Sequence, residues 1–458
     1  MEDMKNGKRS SFSGKLGYVL AAAGASVGLG NIWRFPYLAA KYGGGIFLII
    51  YIVLALTFGY TMIVAETAIG RMTRKSPVGA FKSFGKKKWL SFGGWINAVI
   101  PVLIVPYYSV IGGWVIKYLV EYFRGNAKLL AEDGYFTDFI SNGVSTELCF
   151  MAFCAFTLII IFAGVQNGIE RVSKIMMPIL IVLSVIIAVY SVTRPGALAG
   201  VKYFLVPNVK NFSWMTVVSA MGQMFYSLSI AMGILITFGS YMKKDTAIED
   251  STRNVEVFDT GIAIMAGLMI IPAVFAFSGG DPDTLQAGPS LMFITIPKVF
   301  QNMGFGTVIG IVFFLLVLFA AVTSSIALTE SAVSTFEDEL GWGRKKATVL
   351  VGVIMLALGS LSSLGYGPLA GIKIIGMQFL DLFDFLTNSV MMPIAALLTS
   401  LFVSRVVGID KIEAEIINGE SAFRRKKVFV VMIKYLCPVF AIIILLSSVA
   451  NALGWIKM

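Results

Sequence analysis

The stretch GASVGLGNIWRFP, from Gly24 to Pro36, decides the fold of this chain. It lies inside an apolar run from residue 17 to residue 40, long enough to cross a bilayer at roughly 20 residues per span. Yet three glycines, Asn31, Arg34 and Pro36 interrupt the run. In hydrocarbon, unwound backbone persists only where it lines a cavity or binds something, because unsatisfied peptide groups are costly. The stretch therefore predicts a binding site near the middle of the membrane.

The composition is that of a membrane protein. Of 458 residues, 57% are hydrophobic and only 14% are charged, which excludes an ordinary soluble domain. The apolar runs predict an all-α integral membrane protein with about eleven transmembrane helices. They lie near residues 16–41, 44–71, 89–124, 147–164, 168–193, 214–241, 252–278, 305–338, 345–362, 374–404 and 426–452.

The distribution of basic residues predicts the topology. If residues 1–15 form a cytoplasmic segment, alternate loops face inside, and those loops carry most of the Lys and Arg, as at residues 82–88 and 424–427. This asymmetry follows the positive-inside rule. We expect a multi-pass protein of the plasma (cytoplasmic) membrane, with its N-terminus in the cytoplasm and its C-terminus outside.

Several function classes are disfavoured by what the sequence lacks. There are no histidines, no HExxH or GxSxG motif and no GxxxxGK[ST] loop, so we expect neither an enzyme nor an ATP-driven pump. The net charge of +11 is spread over loops between spans, which argues against nucleic-acid binding. No organic cofactor is expected. An ion or solute channel remains the alternative, although no repeated filter or ring-forming motif is present.

The sixth apolar run is interrupted like the first. It reads QMFYSLSIAMG from Gln223 to Gly233, with two serines in mid-span. Two interrupted helices, each opening a group of five, predict two five-helix inverted repeats over residues 16–193 and 214–404. Residues 408–420 place isoleucines at helical spacing and predict an amphipathic segment at the inner surface, before an eleventh helix at 426–452.

The eighth run, AAVTSSIALTE from Ala320 to Glu330, is rich in hydroxyl groups. The simpler interpretation is that Thr323, Ser324 and Ser325 bond back to their own helix. A small hard cation, however, needs several oxygens at short range, and these hydroxyls plus carbonyls freed by the broken first span would supply them. An amino acid would also suit the broken helices, since its carboxylate can take the N–H groups of a half-helix.

The motifs resemble those of the neurotransmitter:sodium symporter family, and most of all its bacterial amino-acid transporters. GLGNIWRFP from Gly28 and YGGGIF from Tyr42 are the most specific, and ETAIGR from Glu66 and TSS from Thr323 reinforce them. The resemblance covers nearly the whole chain. It implies a leucine-transporter-like fold, with helices 1 and 6 unwound at mid-membrane. It also implies a sodium-coupled symporter that imports a hydrophobic L-amino acid, aromatic ones included, by alternating access.

The resemblance implies two sodium sites and one substrate site. The positions that match the first sodium site are Ser26, Asn31, Ser227 and Asp259, together with the substrate carboxylate. Those that match the second are Gly24, Val27, Ala320, Thr323 and Ser324. Those that match the substrate site are Ser26, Leu29, Gly30, Ile104, Tyr108, Tyr226, Ser227, Ser229, Met232, Ser324 and Leu328.

The resemblance also implies two gates and a supporting acid. Arg34 and Asp384 match an outer gate pair, beneath which Tyr108 and Tyr226 form an aromatic lid. The positions that match the inner gate are Arg9, Ser240, Tyr241 and Asp338. Glu66 matches a buried acid that supports the unwound sixth helix.

Three departures from the family pattern sharpen the expectations. Asp259 stands where many members have Asn, and Ala263 replaces a chloride-associated Ser, so we expect a fixed carboxylate in place of chloride. Phe12 replaces the usual Trp at the inner end of the first span. Met232 occupies a place often held by Phe, and a flexible Met can repack around large ligands, which favours hydrophobic and aromatic substrates.

Overall fold

The computed structural model describes residues 9–279, 288–452 and 454–455, so residues 1–8 of the predicted cytoplasmic segment lie outside it. Over these ranges the chain is helical apart from turns and two isolated β-bridges. Nine helices in the described part of the chain are long and apolar enough to cross a membrane. They are Gly45–Thr73, Lys88–Phe123, Gly143–Phe162, Val165–Val192, Ile248–Ser278, Gly306–Leu340, Arg344–Leu364, Phe379–Val407 and Lys426–Asn451.

The first span is broken into two helices. Lys15–Ser26 and Gly30–Lys41 meet at a bend of 54° and make a tenth span if they are taken together. The inner helix ends where Val27 turns to an extended conformation. A Cβ at Gly28 would lie 2.7 Å from the Ser324 hydroxyl, so the chain needs glycine there to approach the eighth span.

The predicted sixth span is also in two pieces. Trp214–Ser227 and Ile234–Ser240 are helical, and the residues between them are not. Ser229 and Ala231 adopt positive φ angles of 52° and 59°, which cost of order 1–3 kcal/mol each for non-glycine residues. Neither piece alone is long enough to span, so the count of eleven stays a prediction, as do the repeat boundaries.

Short helices complete the chain. They are Pro77–Lys82, Ala127–Leu130, Tyr135–Ser141, Ala197–Leu205, Leu291–Gln301 and Ile409–Ile417, with a 3-10 turn at Val209–Asn211. Ile409–Ile417 falls in the predicted amphipathic segment, and it buries Ile412 and Ile416 while Asp410 and Lys411 are exposed.

The YGGGIF motif serves a close packing contact. A Cβ at Gly44 would lie 2.1 Å from the carbonyl oxygen of Tyr203, and one at Gly45 would lie 2.6 Å from Val206. Gly44 also pairs with Pro207 in one of the two β-bridges. The glycines therefore let the turn between the first two spans sit directly against the segment that leads to the sixth, which positions both broken helices.

Candidate functional site

The two breaks border a small cavity in the middle of the bundle. It is lined by Ala25, Ser26, Gly28, Leu29, Gly30, Asn31, Ile104, Tyr108, Tyr226, Ser229, Met232, Ser324 and Leu328. Every residue predicted for the substrate site is among them except Ser227. Ala25, Gly28 and Asn31 join the lining in addition.

One end of the cavity is polar because the first span is open there. The Tyr108 hydroxyl accepts the Leu29 N–H at 3.3 Å, and the outer helix begins one residue later at Gly30. The N–H groups of a first helical turn have no partners within the helix. The lining also includes the apolar side chains of Ile104, Met232 and Leu328. The lining therefore suits a molecule with a small polar head and an apolar body.

A buried carboxylate lies beside the cavity. The Asp259 side chain accepts hydrogen bonds from Asn31 Nδ2 at 2.8 Å, Ser227 Oγ at 2.9 Å and Tyr51 Oη at 2.9 Å. Asp259 is 0% exposed, and no Lys or Arg of the described residues lies within 4 Å of it. A buried charge without a counter-charge is costly, so this cluster is suited to a cation.

The sequence reasoning missed two members of this region. Tyr51 donates to Asp259 and also to Ser227 at 3.0 Å, and Gln223 Nε2 donates to the Gly30 carbonyl at 3.0 Å. Both are fully buried. A Tyr in the second span is ordinary, and Gln223 appeared only as the first residue of the interrupted sixth run. Their roles were missed because packing alone brings them to these partners.

A second group of oxygens lies where the first span meets the eighth. Ser324 Oγ lies 3.2 Å from the Gly24 carbonyl oxygen and 3.3 Å from that of Val27. Thr323 bonds back to Phe319 and Ala320 of its own helix, as the simpler interpretation of its hydroxyl expected. Ser324 instead contacts carbonyl oxygens of the first span, so the expectation that its hydroxyl bonds back to its own helix is wrong.

Contacts from other spans support the sixth-span break. Glu66 Oε1 accepts the Ala231 N–H at 2.7 Å, and Ser229 Oγ donates to the Ala25 carbonyl at 2.9 Å. Glu66 is 0% exposed. The positive-φ residues of the break are thus held by a side chain from the second span and by the backbone of the first.

The end of the bundle that we predict to be the inner one is closed. Arg9 pairs with Asp338 at 2.5 Å, donates to Ser240 at 3.1 Å and stacks over the Tyr241 ring. Burial lowers the pKa of Arg9, but the Tyr241 and Asp338 oxygens outweigh that effect and raise it overall. Phe12, in place of the expected Trp, is buried edge-on against Tyr241, so this smaller ring still seals the inner end.

A further ionic contact, not predicted from the sequence, reinforces the inner end. The Tyr241 hydroxyl donates to Glu330 at 2.7 Å, and Glu330 also pairs with Arg344 at 2.6 Å. Glu330 is 0% exposed. The sequence showed Glu330 only as the end of the hydroxyl-rich run, because its partner at the start of the ninth span is fixed by tertiary packing.

The outer end is arranged differently. Arg34 and Asp384 both line an outward vestibule, but in the described part of the chain they form no ion pair within 4 Å. Arg34 lies over the Tyr226 ring at 5.4 Å, while Asp384 accepts from Asn388 Nδ2 at 2.6 Å. Arg34 and Asp384 therefore line the same vestibule, but they do not form the predicted gate pair in this structure. At the opposite end, the predicted pair Arg9–Asp338 is formed.

A membrane bundle with two helices broken around a central cavity, and with polar contacts at each end of the path through it, defines the class of multi-pass membrane transporters. A family model described as the sodium:neurotransmitter symporter family matches residues 9–130 and 136–454. The chain belongs to this family, whose members are sodium-dependent transporters.

Individual relatives match this chain over nearly its full length. The chain is 34% identical to the sodium-dependent transporter YhdH of Bacillus subtilis, over 97% of this chain and 99% of that protein. It is 31% identical to a sodium-dependent transporter of Haemophilus influenzae, over 97% and 99%. Among solved structures, MhsT in complex with L-phenylalanine matches with a TM-score of 0.86 and 35% identity, over 96% of this chain and 100% of that one. The predicted family and the leucine-transporter-like fold class are confirmed.

Proposed function

We propose that this protein is a sodium-coupled symporter that imports a hydrophobic L-amino acid, aromatic ones included, by alternating access. The observation that carries the proposal is a cavity lined by both polar groups and apolar side chains, beside two clusters of oxygen atoms. The similar protein MhsT was solved with L-phenylalanine bound. That supports an amino acid as the substrate here.

The polar end suits the head of an amino acid. The Tyr108 hydroxyl and the Leu29 and Gly30 backbone would bind the carboxylate, because a helix N-terminus favours anions. Carbonyl oxygens at the end of the inner helix, such as that of Ala25, would accept from the ammonium group. The cavity lining offers no charged side chain, which favours a neutral zwitterion over a charged substrate.

The apolar part of the lining would select the side chain. Ile104, Met232 and Leu328 offer only hydrocarbon and a thioether, so each buried methylene of the ligand gains roughly 0.8 kcal/mol. Met232 can change rotamer at little cost, which extends the accepted size range to aromatic rings.

The flanking oxygen clusters would each hold one sodium ion. At the first site, Asn31, Ser227 and Asp259 and the Ser26 carbonyl would surround the ion together with the substrate carboxylate. At the second, the Gly24, Val27 and Ala320 carbonyls would join the Thr323 and Ser324 hydroxyls. The ion at the first site touches the substrate, so binding of each favours binding of the other. No chloride is required, because Asp259 already supplies a fixed negative charge.

Transport would then result from alternate opening and closing at the two ends of the path. Sodium from outside orders the broken helices, substrate binding draws Arg34 toward Asp384, and release of the Arg9–Asp338 pair opens the cytoplasmic side. With the N-terminus in the cytoplasm, each sodium ion that enters gains roughly 2.3 kcal/mol per 100 mV of membrane potential.

The test is uptake by the purified full-length protein in proteoliposomes, with all common amino acids offered in an inward sodium gradient or an equal potassium gradient. We expect saturable, sodium-dependent uptake of hydrophobic and aromatic amino acids only. Thr323→Ala and Asn31→Ala should weaken sodium dependence, whereas the buried helix-bonded residues Thr329→Ala and Asn97→Ala serve as matched controls. Non-saturable flux that follows the potential would instead identify a channel, and unchanged sodium dependence in both site variants would refute the ion sites.

A further inference from the structure

A lysine projects from the membrane-spanning part of the eleventh span. Lys434 lies eight residues beyond Lys426, the first residue of Lys426–Asn451, which places its Cα about 12 Å along the helix. Its side chain is exposed, and so are those of its neighbours Val431 and Tyr435, at 50% and 65%. In a membrane bundle, an exposed apolar flank of a span faces lipid, and with the predicted topology this places the cation in the inner leaflet.

Lys434 has no counter-charge among the described residues. No carboxylate lies within 4 Å of its ammonium group, and no hydrogen bond joins it to another described group. A cation on the lipid-facing side of a span is costly unless it reaches polar headgroups or an anion. Its four-carbon stem lets it extend toward the inner surface.

A second unpaired cation lies on the adjoining span. Phe379–Val407 ends in a π-helical turn, Val403–Val407, which contacts the π-helical turn Met432–Leu436 that carries Lys434. Arg405 belongs to the first of these turns, is exposed and forms no ion pair with any described residue. Two neighbouring spans therefore each carry an unpaired cation on turns that contact each other.

Three buried or half-buried acids of this region are already paired with other cations. Their ion pairs, in the described part of the chain, are Arg71–Glu415, Arg425–Glu256 and Lys426–Glu413. Asp410 is exposed and forms no ion pair with either cation, within the same part of the chain. Even when Asp410 is counted, the two cations leave a net positive charge on this flank, which an anion from outside the chain can balance.

We propose that the flank formed by Arg405 and Lys434 binds the headgroup of an anionic phospholipid of the inner leaflet. Lys434 extends along the eleventh span to the phosphate, and Arg405 can bind phosphate oxygens with two parallel N–H groups. The exposed side chains of Val431 and Tyr435 lie against the acyl chains. A bound lipid of this kind ties the tenth and eleventh spans together at the cytoplasmic surface, independently of which solute is carried.

The experiment is native mass spectrometry of the purified full-length protein, equilibrated with equal amounts of phosphatidylglycerol and phosphatidylethanolamine of identical acyl chains. We expect the wild type to retain the anionic lipid over the zwitterionic one by about fivefold. Lys434→Gln and Arg405→Gln should each reduce that ratio by at least half, and Lys434→Arg should preserve it.

The matched control is Lys86→Gln, which removes one exposed positive charge at the inner surface but outside any span. It should leave the ratio unchanged. Equal retention of the two lipids by the wild type, or an unchanged ratio in both Lys434→Gln and Arg405→Gln, would show that these side chains merely reach water and would overturn the proposal. Because amino-acid uptake is not the readout, the result is separate from the test of the transport function.

Discussion

At the scale of single residues, Asp259 is the fully buried acid beside the cavity. Its carboxylate is satisfied by three hydrogen bonds from Asn31, Ser227 and Tyr51, but it lacks a positive partner among the described residues. We therefore expect its charge to substitute for a bound anion when sodium ions enter.

This expectation gives a direct prediction for chloride. Replacing chloride by gluconate should leave wild-type uptake within about twofold, because the fixed carboxylate supplies the negative charge. Asp259→Asn should either abolish uptake or make it depend on chloride. Asp133→Asn, which removes an exposed outer carboxylate, is the control. Normal chloride-free uptake by Asp259→Asn would contradict the prediction.

Gly30 provides a second prediction at this scale. A Cβ added at Gly30 would lie 2.3 Å from the Tyr226 ring. The new methyl group would overlap the ring and displace this part of the aromatic lid. Gly30→Ala should weaken substrate binding at least tenfold, or about 1.4 kcal/mol, measured by equilibrium binding of the transported amino acid. Gly261→Ala in the seventh span, where no atom lies within 4 Å of the new methyl group, should have little effect. Equal affinity in both variants would mean that the lid is not rigidly placed.

At the scale of elements, the sixth-span break depends on a contact from the second span. The helix cannot continue through residues 228–233, and Glu66 accepts the Ala231 N–H that the break exposes. A buried N–H without a partner costs about 1–3 kcal/mol, which is large beside the stability of one packed segment.

Glu66→Ala should therefore lower the melting temperature of the detergent-purified protein, measured with sodium present and absent. Glu66→Gln should lower it less, because the amide oxygen can still accept the hydrogen bond. The two variants differ chiefly in that acceptor, so an equal and small effect of both would show that Glu66 does not support the break.

At the scale of the whole molecule, the two ends of the transport path differ in bonding. Arg9 joins the N-terminal segment to the sixth span and to Asp338 of the eighth, whereas Arg34 and Asp384 lie on one vestibule without an ion pair in this structure. The contacts around Arg9 thus oppose opening of the path at that end, which is the predicted cytoplasmic end, and their loss should shift the population toward the opened state.

Arg9→Ala should consequently raise amide hydrogen exchange in the peptide that covers residues 10–20 by at least about tenfold, because charge-assisted hydrogen bonds to Ser240 and Asp338 are lost. Added sodium should partly restore protection. Lys15→Ala removes a nearby but exposed ion pair with Asp250, and surface pairs contribute little, so it should change exchange only slightly. Equal exchange in the two variants would argue against Arg9 as the inner closure.

The sequence alone predicted the membrane class, the family and both helix breaks, because hydropathy, glycines and in-span polar residues act locally along the chain. It also predicted nearly all of the cavity lining through the family motifs. It did not reveal Tyr51, Gln223 or the Glu330–Arg344 pair, whose importance depends on partners more than 10 residues away in the chain. It likewise did not reveal that Arg34 and Asp384 would stand apart.

What residues 24–36 determined by themselves is that a helix must break inside the bilayer, since their backbone cannot remain a sealed helix there. Only the tertiary structure decided what meets that break: the Ser324 hydroxyl against freed carbonyls, the Tyr226 ring over Gly30 and the Asp259 carboxylate beside Asn31. The physical reason is that local sequence sets where peptide groups lose their helical partners. Their new partners come from spans hundreds of residues away, and those are chosen by packing.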